Sequence, residues 1–136
     1  MNNLIIHNLS HTYNDVNNSN LIFQDINLQI NLSGTFSLTG ESGSGKSTFI
    51  HLVTGMLQPS LGSITIDNKK ISLMKPKLKA SNLSIVFQYH SLLENLNVLE
   101  NISLPIKIFK GNLDKDDHIF LDKLLSFTNM IDKKFW

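Results

Sequence analysis

One short run of residues has the composition and spacing to hold a chain of phosphates. Gly40-Glu41-Ser42-Gly43-Ser44-Gly45-Lys46-Ser47 fits the pattern G-x-x-x-x-G-K-[ST]. A polyphosphate is a dense row of negative oxygens and must be wrapped without side-chain obstruction. Glycines at 40, 43 and 45 let the backbone come close and adopt positive φ. The loop N–H groups can then converge on the phosphate oxygens as an anion nest. A helix that follows adds its free N–H groups and the positive end of its dipole. Lys46 is placed to reach the outer phosphates, Ser47 to offer its hydroxyl to Mg²⁺, and Thr48 to serve the inner phosphate through its N–H or hydroxyl.

The elements around the run are the ones this chemistry needs. Residues 35–39, Thr-Phe-Ser-Leu-Thr, read as a strand entering the loop, and residues 46–54 read as the helix leaving it, with Phe49, Ile50, Leu52 and Val53 as a broad apolar face. Gly55 is placed as the helix stop. Upstream, residues 4–9 read as a strand, 14–20 as a polar turn, and Ile26, Leu28 and Ile30 alternate with polar residues as a half-buried strand does. Together they predict an antiparallel hairpin. Downstream, residues 59–62 read as a turn, 63–67 as a short strand, the lysine-rich 69–79 as a solvated stretch, and 83–87 as an apolar strand ending at Gln88. Residues 98–104 read as a short helix interrupted by Pro105, and Asp114 or Asp116 as the cap of a last helix.

Composition narrows the function classes. The 136 residues are 41% hydrophobic and 17% charged, which fits a globular chain with a core. A formal net charge of +1 provides no field for nucleic acid. All 12 cations are lysines, so an anion site here uses Lys and backbone N–H groups and not an arginine fork. A small kinase with an arginine-rich lid over its acceptor is disfavoured on the same ground. The absence of cysteine excludes disulfides and thiolate metal sites, and His7, His11, His51 and His118 show no metal-ligand spacing. No secretory leader is expected at the N-terminus, and no apolar run approaches the roughly 20 residues that span a bilayer.

The residues flanking the loop resemble the nucleotide-binding domains of ABC transporters. The resemblance runs through residues 23–30, Gly34, residues 38–48, Gly55, Pro59, Gly62 and residues 64–67. Val86-Phe87-Gln88 is similar to the family's Q-loop entry. Leu92-Leu93, residues 99–102 and residues 104–106 are similar to the lipoprotein-releasing and macrolide-export subclass of LolD, MacB and FtsE type. The resemblance implies an α/β P-loop NTPase fold with an antiparallel β subdomain. It divides the chain into an N-terminal β region, a P-loop core over 35–88 and the start of a helical subdomain over about 89–136. It implies ATP and Mg²⁺ as cofactors. Tyr13 stands where an aromatic stacks on adenine, and Gly40, Glu41, Ser42, Gly43, Ser44, Gly45, Lys46, Ser47 and Thr48 form the phosphate cradle. Gln88 stands where a glutamine touches Mg²⁺ and the attacking water, so Lys46 and Gln88 carry the catalytic expectation and Ser47 and Gln88 the metal one. Residues 89–101 would face the coupling helix of a transmembrane permease. His90, Glu94 and Asn97 depart from the aromatic, proline and threonine usual at their places.

The family continues with a Leu-Ser-Gly-Gly signature, a strand ending in Asp-Glu, and a switch histidine, and none occurs in residues 1–136. The expectation is therefore an incomplete domain, lacking its C-terminal half, that binds nucleotide weakly and does not turn it over alone. The implied function is the ATP-binding subunit of a transporter that exports or extracts a lipid-linked or hydrophobic substrate. It would act as a homodimer or pseudo-dimer, held on the cytoplasmic face of the bacterial inner membrane through its permease. The alternative is a truncated, non-catalytic remnant that binds nucleotide or permease.

Overall fold

The computed structural model describes residues 3–15, 18–89 and 92–136, with the backbone alone for Asn14, Asp15, Ala80 and Ser81. Val16 and Asn17 of the expected turn, and His90 with its expected departure from the family, lie outside the described residues. Chain contacts divide the protein into two units, Met1–Ile85 and Val86–Trp136.

In the first unit, β1 (Asn3–Asp15) and β2 (Asn18–Asn31) form the expected antiparallel hairpin. β3 (Leu61–Ile66) pairs antiparallel with the other edge of β1, and the two-residue β4 (Lys69–Lys70) completes a sheet ordered β2-β1-β3-β4. Alternation along β1 sends Leu4 and Ile6 to one face. There they meet Leu9, Ile64 of β3, Ile71, and Leu52 of helix α1 (Lys46–Val53) to make the core. Leu52 is almost fully buried, which contributes about 1.5–3 kcal/mol and pins α1 to the sheet. β1 runs further than its apolar stretch because irregularities reset its register after Ile6 and after Leu9, with Asn8 at a φ of 47°. β3 crosses this kink closely. A Cβ on Gly62 (φ 83°) would stand 2.3 Å from the carbonyl oxygen of Asn8, so only glycine fits.

Two expected strands are corrected. Residues 35–39 and 83–87 join no ladder. Strand formation requires a second backbone alongside, and among the described residues none pairs with either segment. Their side chains are correspondingly open: Phe36, Leu38, Val86 and Phe87 are all exposed. The lysine-rich stretch keeps Lys69, Lys70, Lys75 and Lys77 exposed, yet it is not featureless. It holds a 3₁₀ turn with buried Ile71 and a helix, α2 (Pro76–Asn82), that opens on proline, the residue suited to the first helical position.

The second unit is a helical hairpin. Helix α3 (Val98–Lys110) passes straight through Pro105, where an interruption is expected. Leu99, Ile102, Ile106 and Phe109 are partly buried at helical spacing on both sides of the proline. Burial of that face outweighs the roughly 3 kcal/mol that a proline costs in a helix. The Asn97–Glu100 capping box fixes the start of α3, and Asp114 with Asp117 caps helix α4 (Lys115–Phe127), as the sequence leads one to expect for Asp114. Lys110 closes the turn onto Asp117 at 2.8 Å and Asp114 at 3.1 Å. The hydrogen bonds to Asp117 and then Asp114 raise the Lys110 pKa above its ordinary value. The Asp117 backbone N–H, followed by Lys110, lowers that of Asp114.

Candidate functional site

The glycine loop lies between the extended segment 35–41 and the first turn of α1. Ser42 and Gly43 make its tip, and the Ser44 N–H closes the turn on the Glu41 carbonyl at 3.3 Å. Gly45 is the N-cap, with φ 90°. A Cβ there would meet Ile22 at 2.8 Å and Phe23 at 3.0 Å. Glycine is thus required twice at this position, by conformation and by space. Ile22 and Phe23 of the β hairpin lie against Gly45 and leave no room for a Cβ there.

Lys46 folds back across the loop. Its ammonium donates to the carbonyl oxygens of Gly40 at 2.8 Å and Glu41 at 2.6 Å, and to the Ser44 hydroxyl at 3.4 Å. The cation is therefore anchored over the loop on neutral acceptors and, among the described residues, by no carboxylate. Ser47 is exposed on the first turn of α1, and Thr48 beside it is buried. The Thr48 hydroxyl shares a hydrogen bond of 3.4 Å with the Tyr13 hydroxyl from the far end of β1. Tyr13 is 43% exposed, so its ring combines an anchored tip with an open surface. The fold thus joins Tyr13, far away in sequence, to the helix that carries Lys46 and Ser47.

Among the described helices of more than seven residues, the starts differ in their room for an anion; the seven-residue α2 is also uncapped and without acid, but it opens on proline, which has no N–H to offer. The N-terminus of α4 is occupied by its capping box and has Asp116 and Asp117 in the first turn. That of α3 is closed by Asn97, with the Val98 and Leu99 N–H groups bonded to the carbonyls of Trp136 and Lys134. The start of α1 differs from both: no side chain caps it and its first turn holds no acid. Its first backbone bond runs from the Phe49 N–H to Gly45, leaving the earlier N–H groups without helical acceptors. Positive potential and free donors coincide there, the arrangement that binds phosphate. A cleft of about 220 Å³ adjoins the loop, lined by Phe23, Leu38, Gly40, Ser44, Lys46 and Phe49. That is less than the 300–1,000 Å³ typical of a whole small-molecule site.

Glu41 and Gln88 are the remaining site expectations. Glu41 is exposed in the loop and contributes its carbonyl to Lys46. Gln88 lies in the second unit and is exposed on a bend. Among the described residues no cluster of three His, Cys, Asp or Glu is placed to hold a metal. The second unit has its own groove of about 510 Å³, lined by Leu92, Leu93, Leu96, Val98, Ile102 and Trp136 among others. Asn101 holds its rim, accepting from the Leu93 N–H at 2.8 Å and donating to the Leu96 carbonyl at 2.8 Å. His11, to which the sequence assigns no site, is buried against Tyr13 with ring centroids 4.9 Å apart. Only its place two residues before Tyr13 on a strand signals that contact.

Comparison with known proteins follows the same lines. The profile of the ABC transporter family matches residues 23–135. The lipoprotein-releasing system ATP-binding protein LolD of Buchnera aphidicola (from Acyrthosiphon pisum) is 34% identical over 98% of this chain and 60% of its own length. LolD of Wigglesworthia glossinidia brevipalpis is 36% identical over 79% of this chain and 50% of its own. An ATP-binding cassette solved as a dimer in a post-hydrolysis state with ADP and phosphate superposes with a TM-score of 0.80 at 25% identity. That match covers 97% of this chain and 60% of the cassette. The chain therefore spans about half to three-fifths of the length of these relatives. Among the described residues, no helix is long and apolar enough to cross a membrane.

Proposed function

Because this chain belongs to the ABC transporter family, and carries that family's cassette fold, we propose that it is the nucleotide-binding portion of a transporter ATPase and that residues 40–48 receive the phosphates of ATP. The observation that carries this is the start of α1, uncapped and free of acid, with the Lys46 ammonium held over it. Gly40 to Gly45 supply backbone N–H groups, Lys46 the charge at the outer phosphates, and Thr48 the inner contact. Tyr13 offers its open ring to the adenine. Magnesium, when bound, would neutralise phosphate charge, with the exposed Ser47 hydroxyl as its ligand from the loop. Gln88 joins Ser47 and Lys46 in this proposal by resemblance alone. The domain reading, with a P-loop core over 35–88 and a helical subdomain beginning near 89, rests on the same footing.

The wider assignment follows from the LolD relatives. We place the whole protein at the cytoplasmic face of a bacterial inner membrane, paired with a second ATP-binding domain and a permease, and releasing a lipid-linked substrate such as a lipoprotein. Residues 89–101, of which Leu92, Leu93, Leu96 and Val98 line the groove of the second unit, are assigned to the permease. Turnover is not assigned to residues 1–136, which contain neither the signature nor the Asp-Glu strand motif.

Equilibrium titration of the 136-residue chain with ATP tests the core of this reading. Inorganic tripolyphosphate should displace ATP, and adenosine at the same concentration should not. Displacement by adenosine but not by tripolyphosphate would refute a phosphate-led site.

A further inference from the structure

Behind Tyr13 stands a side chain that the proposed function leaves unused. His11 is 6% exposed, and neither ring nitrogen has a hydrogen-bond partner among the described residues. Burying two polar atoms unpaired works against the fold, so the position is not one that hydrogen bonding explains. What the ring does make is a defined contact. It stands perpendicular to the Tyr13 ring, at an interplanar angle of 86° and a centroid distance of 4.9 Å, the edge-to-face geometry aromatic rings favour. At its other end the Tyr13 hydroxyl is tied to Thr48. The tyrosine is therefore held at two points, and turning about either side-chain torsion breaks one of them.

We propose that His11 is a positioning residue for the nucleobase: it fixes the Tyr13 ring as a platform, so that the base stacks on a surface already set relative to the phosphate loop. This rests on the reading of Tyr13 as the base contact. A platform ordered before the ligand arrives spares the side-chain ordering that binding otherwise requires. The effect therefore belongs to the base and not to the phosphates.

The test compares the affinities of the full chain for ATP and for inorganic tripolyphosphate, which has no base. Stacking on an aromatic contributes about 5- to 150-fold to affinity. Tyr13→Ala should lower the ratio of ATP to tripolyphosphate affinity by a factor in that range, whatever its loss of the Thr48 hydrogen bond does to both ligands. His11→Leu fills the same space without a ring, and should weaken ATP about threefold or more with tripolyphosphate within about twofold of wild type. His11→Phe restores an edge to the tyrosine and should restore ATP. Equal loss of both ligands in His11→Leu would make His11 a general support of the fold and overturn the inference. So would an unchanged ATP affinity in His11→Leu while Tyr13→Ala weakens it. An unchanged ATP-to-tripolyphosphate ratio in Tyr13→Ala would instead remove the base contact itself. A Lys46→Ala chain that binds tripolyphosphate normally would remove the phosphate site.

Discussion

Replacing Gly45 by alanine separates what the loop needs from what glycine merely permits. The residue sits at φ 90°, which costs an L-amino acid roughly 1–2 kcal/mol. Its new methyl would also stand 2.8 Å from Ile22 and 3.0 Å from Phe23. Overpacking of that kind costs about 1–3 kcal/mol. The sum, about 2–5 kcal/mol, corresponds to a fall in melting temperature of about 8–20 °C for a chain this size. Gly43 is the internal control. Its φ is 81° but no atom lies within 4 Å of where a Cβ would be, so Gly43→Ala carries the backbone strain alone. About 1–2 kcal/mol, or some 4–8 °C, is expected there. Thermal melts followed by circular dichroism measure the difference. Titration with ATP should show Gly45→Ala binding about tenfold more weakly or worse, because relief of the clash moves the N–H groups that converge on phosphate. Equal melting temperatures for the two variants, or Gly43→Ala the less stable, would show that the hairpin does not crowd Gly45 as described.

Two further outcomes follow from the second unit. Pro105→Ala should stabilise the protein by about 1–3 kcal/mol, since the new N–H can bond to the Asn101 carbonyl inside an already formed helix; a melting temperature at or below wild type would contradict the account of α3. The Asp114 pKa is lowered from 3.8, so its contribution is complete above that value and is lost as pH falls through the lower folded value. Lys110 is raised from 10.5, so its contribution is complete below that value and is lost as pH rises through the higher one. Asp114→Asn should flatten the acid side of the stability profile measured by denaturant titration at stepped pH. A profile unchanged below pH 3.8 would rule the contact out as a source of acid lability.

Local signals carried the reading where the physics is local. The G-x-x-x-x-G-K-[ST] run, the alternation that sets Ile26 and Ile30 against the core while Leu28 stays exposed, and the Asp114 cap are each set by a few neighbouring residues. Expectations failed where the outcome depends on a distant partner. Residues 35–39 and 83–87 have strand composition, but a ladder needs a second backbone, and composition says nothing of whether one lies alongside. Pro105 pointed to a break that burial on both sides overrode. The kink at Asn8 and the close passage of Gly62 arise from register between strands more than 50 residues apart in sequence, and neither residue announces it. The site itself was half legible. Its loop is contiguous and stood out at once. The link from Tyr13 to Thr48 spans 35 residues, and the burial of His11 exists only once the sheet is built.

The most direct test of the phosphate site is the ATP affinity of Lys46→Ala set beside that of Lys69→Ala, by calorimetry on chains shown to be folded. Both remove one positive charge, but Lys69 is exposed on the short edge strand β4 and takes no part in the loop. A charge-assisted contact to phosphate contributes about 1.5–3 kcal/mol. Lys46→Ala should therefore weaken ATP by about 10- to 150-fold, with Lys69→Ala within about twofold of wild type. Equal affinities for the two variants would mean that ATP is drawn by general charge or bound elsewhere, and the assignment of residues 40–48 would be wrong.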